Sequence, residues 1–442
     1  MLNDSLATAL KPYIVTLMED RILEENIFLV PLGERPELCN RLKPKGELYL
    51  VYAPLARKML LVDDEDLHLV NGRLSELRVV GDTGRFFSKI QHVCDLQKLS
   101  VLPNHTCNFS CSYCYSAKGR GSTVLDQGKL LRALEFFFDS DRLTERNLTI
   151  SFIGGGEPLL SWPLVKWAME RSEQLASQNG FNLLMTLVTN GSIMNDDIVA
   201  TLKRYHVLPD VSFDILEEAQ NKNRRHFDTV CGTIDHLCDN GLIPSVNATI
   251  TPDTVDRMEE MVDFMEHRFP LVKNMVFEPV VSDELFPEAA DLKDFYTRYL
   301  DGFFKARRIA EERDKLVTCR IYKNVDSLVE RGCPSKLALT PQGDLSICYC
   351  TSSPKEKMYS QRIYGKVTSD GVEIDSDRFD AIHGINVHSF PKCNRCFAKW
   401  HCGGGCMCPN DLYDDAHLDA VCAFTREMVI RTLLGRISKQ LP

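Results

Sequence analysis

The sequence lacks a long apolar run, an excess of positive charge and any repeated or low-complexity segment. No apolar run in the 442 residues reaches the roughly 18 residues that a membrane-spanning helix needs, so we expect no membrane contact. The formal net charge of −10 argues against nucleic acid as the main partner, because phosphate binding needs a cationic surface. The first residues carry Asp4 and Lys11 and no small-residue cleavage site, so we expect no signal peptide and a cytoplasmic protein.

Cysteine, by contrast, is abundant. The chain has 17 cysteines, and ten of them fall into two spaced groups. Because thiols stay reduced in the cytosol, clustered cysteines indicate metal ligands before disulfides. The first group is Cys107-x3-Cys111-x2-Cys114, and the second comprises Cys333, Cys348, Cys393, Cys396, Cys402, Cys406 and Cys422. Soft thiolates in such runs suit iron–sulfur clusters or zinc.

The first group is one ligand short of a closed tetrahedral site. Its three thiolates can hold three irons of a cube and leave the fourth iron open. Spacing alone also allows a zinc ion with His105 as the fourth ligand. The second group fits a zinc ribbon poorly, because a ribbon uses four cysteines and would leave three unexplained.

Short apolar runs alternate with amphipathic stretches from about residue 98 onward. The predicted strands are Leu99–Pro103, Leu148–Ile153, Leu183–Val188, Leu208–Phe213, Ser245–Ile250 and Asn274–Val280. Helices are predicted between them, for example over Asp126–Phe138, Pro163–Gln178, Phe227–Cys238 and Val255–Arg268. This alternation indicates parallel strands joined by right-handed crossovers. The period alone does not decide between an open doubly wound sheet and a partial barrel.

The βα alternation is absent from the sequence on either side of this region, which is consistent with two or three domains in a chain of 442 residues. Residues 1–97 are predicted to form a small α+β module with strands at Glu47–Tyr52 and Met59–Val62. Residues 98–312 hold the βα units. Residues 313–442 are loop-rich and cysteine-rich, with a hairpin around the PQGD turn and a helical tail over Phe424–Lys439.

The cysteine loop after the first predicted strand resembles the signature of radical SAM enzymes, C-x3-C-x-aromatic-C. Further matches stand at the ends of the next three strands: Gly155-Gly156-Glu157-Pro158, Thr189-Asn190-Gly191 and Ser212-Phe213-Asp214. The resemblance implies a partial (β/α)6 barrel, a 4Fe–4S cluster on Cys107, Cys111 and Cys114, and S-adenosylmethionine (SAM) bound to the open iron. Glu157, Thr189 and Asn190 belong to the implied cofactor site.

The resemblance also implies individual SAM contacts. Gly155 and Gly156 would let the backbone approach the methionyl ammonium, which a Cβ would obstruct. Tyr113 would pack near the adenine and Ser212 would contact the ribose, with Asp214 as a second contact; strand-end capping is the alternative for both polar residues. Arg224 would pair with the SAM carboxylate, and a surface salt bridge is its alternative.

The second cysteine group resembles the seven-cysteine pattern of SPASM domains, with Gly343 at its hairpin position. The resemblance assigns Cys333, Cys348 and Cys406 to a nearer auxiliary 4Fe–4S cluster. It assigns an outer cluster to Cys393, Cys396, Cys402 and Cys422, which makes three 4Fe–4S clusters in all. The fourth ligand of the nearer cluster stays open: Cys319, Cys350 or Cys408 would supply it, or the iron is left for substrate.

These two resemblances imply a peptide-modifying oxidoreductase. SAM would be cleaved reductively to a 5′-deoxyadenosyl radical, which removes hydrogen from a ribosomal precursor peptide to give a thioether or carbon–carbon crosslink. Flavodoxin or ferredoxin is the expected reductant. In sulfatase-maturing relatives an Asp base follows the cysteine of G-x4-C, where this chain has Tyr349 as the candidate catalytic residue. A phenol, with an ordinary pKa of about 10, is a poor base, so formylglycine formation is the second choice.

The N-terminal module is expected to bind the leader of such a peptide by strand addition to the edge Glu47–Tyr52, although an ordinary packing hairpin is equally consistent. Two other functions are kept open. One is a non-catalytic iron–sulfur electron carrier, which needs no SAM contacts. The other is a small-molecule dehydrogenase, which would need no N-terminal module for recognition.

Overall fold

The computed structural model describes residues 21–33, 35–79, 90, 92–143 and 145–438. Asp4, Lys11 and Lys439, which took part in the sequence predictions, lie outside these ranges. Within the described part of the chain, none of the helices combines the length and apolar character needed to cross a membrane.

The N-terminal region contains a four-stranded antiparallel sheet, ordered β1 to β4 as in the chain. Its strands are β1 (Arg21–Glu24), β2 (Ile27–Pro31), β3 (Leu48–Ala53) and β4 (Lys58–Asp63), with helix α1 (Pro36–Leu42) between β2 and β3 and helix α2 (Val70–Leu77) after β4. Every residue of β3 is buried. Alternate β3 side chains enter two different cores, because the side chains of a strand point to opposite faces in turn.

The expectation that Glu47–Tyr52 forms a sheet edge is wrong. Strand β3 pairs with β2 on one side and with β4 on the other, so that Leu50 faces Val30 and Leu61 at once. Its continuous apolar run reflects burial on both faces and not an accessible edge. In the described part of this sheet, the edge strands are β1 and β4.

A second sheet forms the centre of the molecule. Seven parallel strands follow one another in chain order: β5 (Lys98–Val101), β6 (Asn147–Phe152), β7 (Asn182–Thr189), β8 (Leu208–Ser212), β9 (Ser245–Ile250), β10 (Asn274–Pro279) and β11 (Leu316–Thr318). The connecting helices are α3 (Gln127–Phe137), α4 (Trp162–Asn179), α5 (Asp196–Arg204), α6 (Glu217–Asn223), α7 (Phe227–Asp239), α8 (Met258–Arg268) and α9 (Ala289–Glu312).

This strand order confirms the partial-barrel prediction. A doubly wound sheet reverses its order at a switch point, whereas here each strand pairs with the next along the chain. All six predicted strands are present. The seventh, β11, was missed because it has only three residues and directly follows the 24-residue helix α9, where it gives no alternation to detect.

The C-terminal region extends the same sheet at its other edge to 11 strands. Strand β12 (Leu337–Leu339) runs parallel to β5, and β13 (Asp344–Ser346), β14 (Ile363–Val367) and β15 (Val372–Ile374) continue antiparallel. Gly343 makes the turn of the predicted hairpin with φ +92°, a conformation that favours glycine. The helices of this region are α10 (Arg320–Asn324), α11 (Tyr359–Arg362), α12 (Ser376–His383), α13 (Lys399–Cys402), α14 (Met407–Leu412) and α15 (Asp415–Ser438).

Helix α15 begins nine residues before Phe424, where its start was predicted, and packs against both α9 and the N-terminal sheet. Its Phe424 stacks on Tyr296 of α9 with ring centroids 4.3 Å apart. Val429 and Leu433 of α15 share a core with Phe28 of the N-terminal sheet. The domain boundaries at residues 97 and 312 stay a prediction. A single hydrophobic core contains side chains from both the predicted N-terminal segment and the predicted C-terminal segment.

Candidate metal and cofactor site

The first cysteine loop leaves the carboxyl end of β5 and is fastened to the end of β6. The amide of Gly156 donates to the carbonyl of Asn104 at 3.0 Å, and the amide of Glu157 donates to the carbonyl of Thr106 at 2.8 Å. A Cβ on Gly156 would lie 1.9 Å from that Thr106 carbonyl, and one on Gly155 would lie 2.6 Å from the Asn104 carbonyl. The two glycines are therefore required by backbone packing just before Cys107, in addition to any approach of a ligand.

Glu157 is a buried anchor for the end of β7. Its carboxylate accepts hydrogen bonds from the Asn190 amide at 2.7 Å, the Thr189 hydroxyl at 2.8 Å and the Leu159 amide at 3.0 Å. Burial raises the pKa of Glu157 in spite of these donors. The Asn190 side-chain amide in turn reaches the sulfur of Cys107 at 3.7 Å. Glu157, Thr189 and Asn190 thus hold the cysteine loop, with both Glu157 oxygens already engaged.

Tyr113, Asp214 and Arg224 form one buried cluster. The Tyr113 hydroxyl donates to the Asp214 carboxylate at 2.7 Å, and Arg224 Nη1 lies 3.4 Å from the same hydroxyl. Burial raises the pKa of Asp214, while the Arg224 charge acts against this shift. The Asp214 carboxylate is thus engaged by the Tyr113 hydroxyl. Ser212, the other predicted ribose contact, lies half-buried at the end of β8.

Arg224 is 8% exposed, which contradicts the surface salt bridge considered as its alternative. Its Nε is buried and has no hydrogen-bond partner among the described residues. Leaving a buried guanidinium donor unpaired is costly, so this atom fits an anionic ligand. Arg224 also lies beside Cys111, and Arg120 donates to the Cys114 sulfur at 3.4 Å. The donor set fits a cluster with an open iron and a bound SAM carboxylate.

His105 does not complete a zinc site. Its Nε2 lies 3.1 Å from the carbonyl of Ser352, and its Nδ1 lies 3.5 Å from the side-chain amide of Gln342. Both ring nitrogens are thus engaged by the C-terminal region. Burial lowers the pKa of His105, so the ring is neutral. These contacts argue against His105 as the fourth ligand of a zinc ion on the first group of cysteines.

The second group of cysteines separates into two places. Burial raises the pKa of Cys402, and Cys422, Cys396 and Cys393, the other thiols expected for an outer cluster, lie near enough for their charges to add to this shift. Burial likewise raises the pKa of Cys333, and Cys348 and Cys406, the other thiols expected for the nearer cluster, lie within the same electrostatic reach.

Two further thiols join the nearer set. The sulfurs of Cys348, Cys350 and Cys408 all lie within 4.8 Å of one another. Cys319 is elsewhere, buried beside Glu278 and the Tyr299 hydroxyl, where burial raises its pKa to about 12.

Tyr349 and Tyr115 connect the nearer set with the barrel. A Cβ on Gly154 would lie 3.4 Å from the Tyr349 carbonyl and 3.5 Å from the Tyr115 hydroxyl. The charge of Cys350, together with burial, raises the pKa of Tyr349, so its phenol stays protonated and cannot act as a base at neutral pH. Tyr115 is 53% exposed although it lies among Cys350, Tyr349 and Cys114. Sequence reasoning missed Tyr115, whose only signal is an aromatic directly after the third cysteine.

Comparison with known proteins agrees with this geometry. Residues 101–265 match the family model described as the radical SAM superfamily. The chain is 22% identical over 200 residues to the radical SAM cyclopropyl synthase TigE of Paramaledivibacter caminithermalis, a match that covers 41% of this chain and 42% of that protein. The chain thus spans less than half the length of this curated relative.

Two solved structures share the fold at 15% identity. Native anSMEcpe with bound AdoMet superposes with a TM-score of 0.62 over 77% of this chain and 98% of that one. Streptococcus suis SuiB bound to the precursor peptide SuiA superposes with a TM-score of 0.52 over 84% of this chain and 96% of that one. At this identity the two likenesses show the fold alone.

Proposed function

We propose that this chain is a radical SAM enzyme with a cysteine-rich C-terminal region of the SPASM kind, and that it modifies a ribosomally made precursor peptide by forming a thioether or carbon–carbon crosslink. The substrate class is supported by two of the compared structures, SuiB with its precursor peptide SuiA and anSMEcpe with the Cp18Cys peptide. TigE, a cyclopropyl synthase, adds a relative that forms carbon–carbon bonds.

The residues of the first site have separate tasks in this proposal. Cys107, Cys111 and Cys114 would hold the first cluster, and the unpaired Nε of Arg224 would pair with the SAM carboxylate. Tyr113 is fixed by Asp214 and would present its ring to the adenine. When bound, the cofactors supply one-electron chemistry, in which a hydrogen atom is removed from an unactivated carbon and a second electron is taken up by the auxiliary clusters.

The observation that carries the proposal is the contact between the barrel and the nearer auxiliary cysteines. Tyr115 and the Tyr349 carbonyl both approach Gly154 just after β6, and Tyr115 lies within electrostatic reach of both Cys350 and Cys114. A substrate in this space would lie between the group that removes hydrogen and the group that accepts an electron. Crosslinking removes two hydrogens from the peptide, and one of them leaves as a proton with its electron transferred onward.

Leader recognition is assigned to the N-terminal sheet, at the edge of β4 instead of β3. Its residues Lys58–Asp63 are partly exposed, and on one side the strand pairs with β3. An extended peptide could add there by backbone hydrogen bonds. Hydrogen exchange would test this assignment: the precursor peptide should slow exchange of the β4 amides and leave those of β3 unchanged. Protection that excludes β4 would contradict it.

The activity is tested by anaerobic incubation of the reconstituted protein with SAM, a reductant such as flavodoxin, and a peptide encoded beside its gene. We expect 5′-deoxyadenosine, together with a peptide product lighter by about two hydrogens. The triple variant C107A/C111A/C114A is the control and should give neither. Formation of 5′-deoxyadenosine with no change in the mass of any such peptide would exclude crosslinking.

Formylglycine formation on a sulfatase is the second candidate, since anSMEcpe shares the fold. In this chain Tyr349 stands where the sulfatase-maturing relatives have their Asp base, and its pKa lies above the ordinary value of a phenol, so it is a poor base. A sulfatase peptide and a neighbouring precursor peptide, offered separately, distinguish the two. A small-molecule dehydrogenase is a third choice, with no observation in its favour. The non-catalytic electron carrier finds no support, because residues 101–265 match the radical SAM superfamily.

A further inference from the structure

Two C-x-C segments meet at the nearer auxiliary site. Cys348-Tyr349-Cys350 follows strand β13, and Cys406-Met407-Cys408 leads into helix α14. The sulfurs of Cys348, Cys350 and Cys408 lie within 4.8 Å of one another. Together with Cys406 and Cys333 they make a five-thiol group, in which Cys350 and Cys408 lie outside the SPASM-like pattern.

Both segments are held by buried polar contacts. The sulfur of Met407, between the two cysteines of its segment, accepts hydrogen bonds from Arg331 at 3.2 Å and from Arg362 at 3.4 Å. Arg362 is itself paired with Asp411. On the other segment, the amide of Cys348 donates to the Ser346 hydroxyl at 3.2 Å. Each C-x-C segment is therefore held by the fold at one residue, Met407 in one and Cys348 in the other.

Positive charge surrounds the five-thiol group. Arg331 and Lys336 lie beside Cys333 and Cys348. Arg320 lies within electrostatic reach of Cys406 and Cys333, and its amide donates to the half-buried Glu278 at 2.6 Å. Such cations offset the negative charge that accumulates when thiolates ligate iron. The surroundings suit a site in which several thiolates are ionised together.

A cube of four irons takes four cysteine ligands, so one of the five thiols is left over. Cys408 is central, within hydrogen-bonding distance of Cys348, Cys350 and Cys406. Cys350 is peripheral: it contacts Cys348 and Cys408 on one side and lies next to Tyr115 and Tyr349 on the other. The two thiols outside the SPASM-like pattern therefore differ in position: Cys408 has three thiol neighbours, and Cys350 has two.

We propose that Cys408 is the fourth protein ligand of the nearer auxiliary cluster, and that Cys350 is an unligated thiol on the side facing Tyr115. This inference rests on the proposed function only in taking the five-thiol group as a 4Fe–4S site. A cluster closed in this way transfers electrons without binding the substrate. The peptide would then meet the free Cys350 thiol and the Tyr349 side chain, and not an open iron.

The test uses the full chain with the first cluster removed by C107A/C111A/C114A, because an open iron there would also bind added ligands. Into this background we introduce Cys408→Ala and, as the matched control from the facing segment, Cys350→Ala. Each protein is reconstituted, reduced and exposed to carbon-13-labelled cyanide. The readouts are iron per chain and carbon-13 hyperfine coupling to the reduced clusters, which do not depend on SAM cleavage or on peptide modification.

The background protein should contain about eight irons, from two cubes, and show no coupling. Cys408→Ala should either gain cyanide coupling or fall to about four irons, while Cys350→Ala keeps about eight irons and stays uncoupled. Coupling in the background protein would show an open cluster and overturn the proposal. Equal behaviour of the two variants, the reverse order, or zinc in place of the expected iron would overturn it as well. Failure of the peptide assay would leave these spectra unaffected.

Discussion

The two thiol sites that flank Gly154 differ in how completely the protein supplies ligands. The first offers three thiolates, Cys107, Cys111 and Cys114, next to a buried Arg224 whose Nε has no partner among the described residues. The nearer auxiliary site offers five thiols and several cations already placed around them. A deficit of ligands prepares a site for an incoming molecule, whereas a surplus closes it. The difference separates a site that binds from a site that transfers electrons.

The largest effect is expected when a cysteine ligand is removed from the three-cysteine site. Cys114→Ala should reduce 5′-deoxyadenosine formation to background, because two thiolates cannot hold the cluster open toward SAM. Cys408→Ala should keep measurable SAM cleavage, since it alters only the auxiliary site. Quantifying 5′-deoxyadenosine by chromatography compares the two variants. Equal loss in both would remove the distinction between the sites.

Next in size is the loss of the Arg224 guanidinium. Arg224→Gln should weaken SAM binding by about 10- to 100-fold, the value of a charge-assisted hydrogen bond to a carboxylate. Tyr113→Phe removes the hydroxyl that joins Asp214 to Arg224 and should cost less. Equilibrium binding of SAM to the reconstituted protein measures both changes. Unchanged SAM affinity in Arg224→Gln would show that its Nε faces no ligand.

Adding a side chain at Gly156, where the backbone packs against the cysteine loop, should lower the stability of the fold. Gly156→Ala places a Cβ 1.9 Å from the Thr106 carbonyl and should destabilise the fold by about 1–3 kcal/mol while displacing the cysteine loop. Gly232→Ala is the matched control within helix α7, where nothing lies within 4 Å, and should stabilise by up to about 1 kcal/mol. Denaturant unfolding of both variants checks the sign of each change.

The smallest effect is expected at Tyr349. Because the pKa of its phenol lies above the ordinary value of about 10, Tyr349→Phe should leave the pH profile of peptide modification unchanged between about pH 6 and about pH 9. The measurement compares the pH profile of the variant with that of wild type at saturating SAM. A new pH dependence in Tyr349→Phe would show that the phenol takes part in proton transfer and would restore it as a catalytic residue.

Much of the barrel was predictable because it rests on short-range patterns. Alternating apolar runs located all six predicted strands, and cysteine spacing marked the groups of ligands. Strand β11 was too short to show a period, and the edge assigned to Glu47–Tyr52 failed because burial on both faces and an exposed edge give similar apolar runs. The burial of Arg224 and the position of Tyr115 depend on contacts across elements, which spacing does not encode.

The sequence by itself determined six of the seven parallel strands and their place along the chain, the three-cysteine loop after the first strand and the seven-cysteine pattern behind it. These features are local, since the period of a strand and the reach of a chelating loop depend on residues near in the chain. Only the tertiary structure decided which thiols meet. Cys350 and Cys408 are 58 positions apart, and only the folding of the segment after β13 onto the start of α14 brings their sulfurs within 4.8 Å. That the nearer auxiliary site has a thiol to spare is therefore a property of the fold.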